Sequence, residues 1–357
     1  MALETMNSLG YKIYFEERLD SLETLIREGN YSKVLILVDR NTEIHCLPLF
    51  QEFVPGISEY DIIEVDPGEE NKNIDFCIGI WKMMLDFEAD RKSLLINLGG
   101  GVVTDMGGFA AATFKRGIDF VQIPTTLLSQ VDASVGGKTG IDMDEFKNVI
   151  GTFTQPIAVF ISTLFLKSLD RRQGVNGLAE MIKHGLIRDA AFYHTIKTRE
   201  FETITEDDVR HSVQIKNEVV LADPKESGLR KILNFGHTIG HAIEGYSLLH
   251  DAQPLLHGEA IAVGMICEAY LSHKSLGLPE GELNDIVHTF RLHFEDYALS
   301  PTNFDALLQT MSNDKKNEQG KIGFSLLTKI GECSFGQYLE PEAIIESLQY
   351  YHGLIGK

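Results

Sequence analysis

Residues 94–108 read LLINLGGGVVTDMGG: the apolar run Leu94–Leu98 ends in Gly99, Gly100 and Gly101 and passes at once into Val102, Val103, Thr104 and Asp105. A strand that turns through glycine into a helix lets backbone N–H groups approach a pyrophosphate, and the positive end of the helix favours that charge. The dinucleotide spacing GxGxxG is not met, because Thr104 stands at its last position. The glycines therefore also read as a tight turn with close helix packing. Asp39 ends another apolar run, Val34–Val38, and either takes ribose hydroxyls or is a turn residue.

Working outward, further apolar runs at Ile62–Val65, Phe120–Ile123 and Ile157–Ile161 alternate with amphipathic stretches. Between the second and third runs, Ile74, Cys77, Ile78, Trp81 and Leu85 recur at helical spacing. Strand, helix and strand repeated in this way predict a parallel sheet with helices on its faces. From about residue 170 the pattern turns helical (Leu178–Ile187, Val209–Leu221, Ile232–Tyr246, Ala260–Leu276), and a strand signal returns only at Ile322–Leu327. A chain of 357 residues is long enough for two cores, so domains 1–169 and 170–357 are expected.

The formal charge of −20 opposes both nucleic acid and anionic membrane surfaces, so neither is expected as a partner. Cys46, Cys77, Cys267 and Cys333 form no CxxC pair and read as buried thiols. With no apolar run near the about 18 residues that span a bilayer, and no basic-then-apolar leader, a cytoplasmic enzyme is expected.

In LNFGHTIGHA (233–242), His237 and His241 stand four residues apart on one helical face, with His257 opening HGEAIAVGM. That spacing fits a metal or anion site, or an ordinary helix surface. The protease form HExxH does not apply, since Thr238 stands in place of the glutamate. Glu180, on one face with Lys183, joins His237 and His257 as one carboxylate and two imidazoles, a donor set that leaves a zinc ion an open position. Although the chain is acidic, cations stand beside glycines and amides: Arg116 in KRG, Lys138 in GGKTG, Lys147 before Asn148, Lys183 in EMIKHG, then Lys216, Arg230, and Lys315 with Lys316. Such clustering suits a small, multiply anionic substrate.

Seven strings carry a resemblance: PGEENK (67–72), GGGVVTDMGGFAAATFKRG (99–117), IPTTLLSQVDASVGGKTGID (123–142), KNVIGTFTQP (147–156), GLAEMIKHGLI (177–187), DPKESGLRKILNFGHTIGHAIE (223–244) and LHGEAIAVGM (256–265). In this order they resemble the 3-dehydroquinate synthase family of sugar phosphate cyclases, with a weaker match at NDKKNEQGKIGFSLL. The resemblance implies a Rossmann-like α/β nucleotide-binding domain, an all-α C-terminal domain, a recycled NAD, one divalent metal (zinc or cobalt) and a homodimer. It implies Glu180, His237 and His257 as metal ligands. For NAD it implies Asp39, Asn41, Glu69, Lys72, Gly100, Gly101, Val102, Asp105, Thr125, Thr126, Leu128, Lys138, Lys147, Phe165, Ser168 and Leu169. For the sugar phosphate substrate it implies Arg116, Asp132, Lys138, Asn148, Lys183, Lys216, Arg230, Asn234, His241 and a lysine of the pair Lys315 and Lys316.

The implied activity is a carbon–oxygen lyase acting on phosphate, which turns 3-deoxy-D-arabino-heptulosonate 7-phosphate into 3-dehydroquinate in the shikimate route to chorismate and aromatic amino acids. Ser162, Asp170 and Phe146 depart from the family's usual Asp, Pro and Gly. Rival readings are a cyclase with another substrate, a metal-dependent polyol or alcohol dehydrogenase, which would release NADH at each turnover, and a silent NAD-binding regulator.

Overall fold

The computed structural model describes residues 4–143, 146–312 and 322–355, which form two compact units. The first comprises residues 1–174 with 205–217, the second residues 175–204 with 218–357. Where the sequence places one boundary near 170, the chain crosses between units three times. Residues 205–217 belong with the first unit because Arg210 lies over the Phe15 ring at 5.2 Å and Asn217 donates to the Asn7 carbonyl at 2.8 Å.

The first unit is built on seven strands in the order β1-β2-β9-β6-β5-β3-β4. These are β1 (Glu4–Asn7), β2 (Lys12–Phe15), β3 (Val34–Asp39), β4 (Asp61–Val65), β5 (Leu94–Gly99), β6 (Asp119–Pro124) and β9 (Ala158–Ile161). All neighbouring pairs are parallel except the β1–β2 hairpin at one edge. The five apolar runs became β3, β4, β5, β6 and β9; the inner strands β3, β5, β6 and β9 are buried on both faces as a parallel sheet requires, while β4, at the edge, buries only Ile63 and Val65. From β3 the chain moves outward to β4, then returns to the other side of β3 as β5. The carboxyl ends of β3 and β5 therefore flank a topological switch point, where open α/β sheets bind ligands.

The glycine turn is a strand-to-helix turn, with Gly100 as N-cap of the helix Gly101–Thr113. Glycine is needed at Gly99, where a Cβ would sit 2.5 Å from that of Val103, and at Gly107, where it would meet Asn97 Oδ1 at 2.1 Å. The packing reading of the glycines is thus physically real. A second hairpin, β7 (Lys138–Met143) with β8 (Phe146–Phe153), lies against this helix; its polar, glycine-rich strands carry no apolar run that the sequence could display.

Among its described residues the second unit is helical, as expected, with one hairpin added to it, β10 (Ile322–Lys329) with β11 (Glu332–Leu339). The strand signal at Ile322–Leu327 is β10. The helix expected over Ile232–Tyr246 is broken. Leu229–Asn234 is a 3-10 turn, Gly236 sits at φ +82, and the α-helix runs His237–His250. A side chain at Gly236 would meet Met265 Cγ at 2.2 Å, and one at Gly264 would meet the Gly236 carbonyl oxygen at 2.0 Å. The helices His237–His250 and His257–Leu276 therefore cross backbone against backbone. Two of the departures cap helical turns in the first unit: Ser162 Oγ accepts from Leu164 N–H at 3.3 Å and donates to the Glu17 carbonyl at 2.7 Å, while Asp170 accepts from Arg172 N–H at 2.9 Å. Phe146 opens β8.

Gly264→Ala is expected to cost about 3 kcal/mol, because the obstructing atoms are backbone and cannot swing aside. Gly79→Ala, on the helix Ile74–Asp86 with nothing within 4 Å of the added carbon, is expected to stabilise by about 0.5–1 kcal/mol. Thermal midpoints of the two variants check both; equal midpoints would contradict the backbone crossing.

Candidate active site

In the first unit, the residues expected to hold a nucleotide gather at the carboxyl ends of β3, β4, β5 and β6. Asp39 ends β3 and caps the next helix, its Oδ1 accepting from Thr42 N–H at 2.9 Å, with Asn41 exposed on that helix. Gly100, Gly101, Val102 and Asp105 open the Gly101–Thr113 helix, whose N-terminus has no side-chain cap. An uncapped first turn of a 13-residue helix offers N–H donors and a positive dipole end to a pyrophosphate. Thr125 and Thr126 follow β6, the Thr125 N–H donating to the Gly99 carbonyl at 3.0 Å, and Leu128 leads into the turn that carries Asp132.

Lys72, 4% exposed, ties this edge together. Its ammonium lies 2.7 Å from Asp105 Oδ2 and 2.7 Å from Asn148 Oδ1, with Glu69 at 3.8 Å. Burial alone would lower its pKa, but Asp105, Glu69 and Asp142 outweigh burial and raise it. Lys147 reaches Glu69 at 2.8 Å and Asp142 at 3.6 Å. Asp142 also accepts the N–H of Asn148 at 2.6 Å, holding a residue at φ +51, a left-handed conformation that asparagine tolerates. No motif or spacing in the sequence marks Asp142 for this role. Lys216 donates to Asp132 Oδ1 at 2.7 Å, and Lys138 begins β7.

Arg116 falls elsewhere, whereas Phe165, Ser168 and Leu169 follow β9, whose carboxyl end lies on the same edge of the sheet as that of β6. Arg116 lies beyond the far end of the Gly101–Thr113 helix, roughly 20 Å from the glycine turn at 1.5 Å per residue, exposed and at φ +72. Phe165 is buried in the core 6.0 Å from Phe53, ring to ring, while Ser168 is exposed and Leu169 half-buried just beyond it. Lys315 and Lys316 lie outside the described residues.

In the second unit, three helices each bring one donor to a common point. Glu180 comes from Arg171–Arg188, His237 is the first residue of its helix, and His257 the first of the next. Glu180 Oε1 lies 3.5 Å from Nε2 of His237 and 3.5 Å from Nε2 of His257, and the three donor atoms fall within 4.8 Å of one another. Bonds of about 2.0–2.1 Å at tetrahedral angles put neighbouring donors roughly 3.3–3.4 Å apart, so the set fits a small divalent metal. The opposite nitrogens are engaged: His237 Nδ1 is 3.1 Å from the Phe235 carbonyl and His257 Nδ1 is 3.3 Å from Glu244 Oε2. Donation from Nδ1–H leaves each Nε2 lone pair toward the common point.

Burial, then the positive charges of Lys183, His241 and His257, push the His237 pKa well below its ordinary value, leaving a neutral imidazole. Burial also acts to lower His257, but Glu244 and Glu180 outweigh it and push it up to about 10. A bound divalent ion would have to displace that proton. Lys183, 1% exposed, pairs with Glu180 on the same helix. Arg230 is buried and donates to the Pro224 carbonyl at 2.8 Å, and Asn234 donates to Glu226 at 2.6 Å. The His241 ring centre is 5.1 Å from that of His237 and 5.8 Å from that of His257.

Residues 62–176 match the 3-dehydroquinate synthase N-terminal family and residues 177–317 the 3-dehydroquinate synthase C-terminal family. The chain belongs to the 3-dehydroquinate synthase family. A 3-dehydroquinate synthase of Parabacteroides distasonis is 43% identical over 339 residues, 94% of this chain and 96% of that one. Another, of Clostridium botulinum, is 40% identical over 313 residues, 84% of this chain and 86% of that one. Among solved structures, 2-epi-5-epi-valiolone synthase of Streptomyces hygroscopicus subsp. jinggangensis, with NAD+ and Zn2+ bound, superposes with TM-score 0.86 at 26% identity, covering 99% of this chain and 100% of that one. A synthase of a different name thus shares this fold.

His257→Ala is expected to leave the protein without zinc after dialysis against trace metal, and His241→Ala to retain it, since His241 stands outside the Glu180 set. Elemental analysis of both variants checks this; equal retention would return the two histidines of the HxxxH spacing to the same role.

Proposed function

We propose that the chain is a 3-dehydroquinate synthase that converts 3-deoxy-D-arabino-heptulosonate 7-phosphate to 3-dehydroquinate and phosphate by oxidation, phosphate elimination, reduction, ring opening and intramolecular aldol closure. The observation that carries this reading is the convergence of Glu180, His237 and His257 at tetrahedral spacing, in a chain whose sheet also presents an uncapped glycine-turn helix. When bound, NAD supplies hydride acceptance and return, and a zinc or cobalt ion supplies polarisation of the oxygen being oxidised.

Glu180, His237 and His257 would hold the metal, with Glu244 and the Phe235 carbonyl fixing the histidine tautomers. Gly100, Gly101 and Asp105 at the helix start, with Asp39, Lys72, Thr125 and Thr126, would hold the dinucleotide. Lys183, Arg230 and Lys216 neutralise carboxylate and phosphate. Their burial strengthens each contact, because a desolvated charge meets its partner at low dielectric. Asn234 is oriented by Glu226, and His241, one helical turn from His237, would contact the substrate phosphate. Asp132, Lys138 and Asn148 complete the polar contacts to substrate. The same reading takes the working protein to be a cytoplasmic homodimer; no helix among the described residues is long and apolar enough to cross a membrane.

The test mixes purified protein, NAD, zinc and the heptulosonate phosphate, and follows phosphate alongside NADH absorbance. Phosphate stoichiometric with substrate and no net NADH is expected. NADH accumulating without phosphate would indicate a dehydrogenase and overturn the proposal.

A further inference from the structure

Glu268 is fully buried, 11 residues after His257 on the same helix. At 3.6 residues per turn that is close to three whole turns, so the two side chains share one face. This face meets the His237–His250 helix at two places. His257 reaches Glu244, seven residues beyond His237, while Glu268 reaches the helix start. Its Oε2 accepts the Gly236 N–H at 2.7 Å and its Oε1 the Ile239 N–H at 3.2 Å.

Two chemical consequences follow. Ile239 is the third residue of its helix, and its N–H is one that an N-cap side chain ordinarily accepts. Gly236 has no side chain to offer, because the close crossing and φ +82 demand glycine there. Glu268 supplies the cap from the neighbouring helix. The second consequence concerns His237. The Gly236 N–H and the Phe235 carbonyl belong to one planar peptide group, and that carbonyl lies 3.1 Å from His237 Nδ1. A carboxylate that fixes the N–H also fixes the carbonyl's direction, and by polarising the peptide it strengthens the oxygen as an acceptor.

We infer that Glu268 is a positioning residue for the metal site: through the Phe235–Gly236 peptide it sets the tautomer and orientation of the His237 imidazole. The inference rests on the metal reading proposed above. Glu268 touches neither metal nor substrate; it does for His237, by way of a peptide, what Glu244 does for His257 directly. Its burial also has a reason on this account. An unpaired buried carboxylate is costly, and here both oxygens are engaged at a helix's positive end.

The experiment measures zinc affinity by competition with a chromophoric chelator, and the visible spectrum of the cobalt-loaded protein, for the unaltered chain, Glu268→Gln, Glu268→Asp and Tyr193→Phe. Tyr193 hydrogen-bonds Asp285 and Thr289 in the same unit and serves as a destabilising control. Gln turns an NH2 group against one of the two N–H donors, so affinity is expected to fall about 10-fold or more, in the range of outer ligand partners, with an altered cobalt spectrum. Asp keeps the charge but is one methylene short, and is expected to lie between Gln and the unaltered chain, which keeps the test open should Gln fold poorly. Tyr193→Phe is expected to lower the thermal midpoint while leaving affinity and spectrum unchanged. Glu268→Gln with unaltered affinity and spectrum would overturn the inference and leave Glu268 a structural cap. An unaltered chain that binds no zinc would instead overturn the metal reading on which it rests.

Discussion

The second unit depends on how closely two helices can cross. Gly236, Gly240 and Gly264 present no side chain of their own at the crossing of His237–His250 with His257–Leu276, so backbone atoms of one segment, with the Met265 and Ile261 side chains, lie where Cβ atoms at these glycines would be. Helices with side chains between them stand about 8–10 Å apart; here the first residue of each helix can reach a common point. That point receives a carboxylate from a third helix, which is itself tied in: Asn176, one turn before Glu180, accepts the N–H of Gly258 beside His257. The donors are thus set by backbone packing, with little left to side-chain freedom, and preorganisation of that kind is what metal catalysis asks of a protein.

This arrangement concentrates ionisable groups where water does not reach. Glu180, Lys183 and Glu268 are each at most 1% exposed. Such groups are tolerated only when paired or hydrogen-bonded, and each is: Lys183 by Glu180, Glu268 by two amides. The first unit solves the same problem around Lys72, where Asp105, Glu69 and Asn148 surround one ammonium. In both units the buried charges stand beside the groups assigned to chemistry, and the stability of each cluster and its function share the same contacts.

The sheet was legible because parallel strands buried on both faces must be apolar throughout, and Val34–Val38, Leu94–Leu98 and Phe120–Ile123 could hardly be anything else. The β7–β8 and β1–β2 hairpins were not, since strands lined with Lys138, Thr139, Lys147 and Asn148 offer no continuous apolar run. Helical spacing carried Ile232–Tyr246 straight through Gly236, which has φ +82 and lies close against Met265, 29 residues away, neither of which periodicity sees. The histidine spacing paired His237 with His241; only the distant Glu180 and His257 separate them in space. Glu244, Glu268 and Asp142 went unread because an isolated carboxylate in a helix or hairpin resembles a solvated charge. A signal was present for Glu268, the only charge in the run Ala260–Leu271. A lone charge in so apolar a stretch must be buried, and a buried carboxylate needs a partner.

Three donors, one oxygen and two imidazole nitrogens, converge on one point, and the proposed chemistry requires that they share one ion there. X-ray absorption at the zinc edge of the loaded protein tests this most directly. The expected result is a first shell of light atoms at about 2.0–2.1 Å with outer scattering from two imidazoles. A sulfur neighbour at about 2.3 Å, or scattering from a single imidazole, would contradict it.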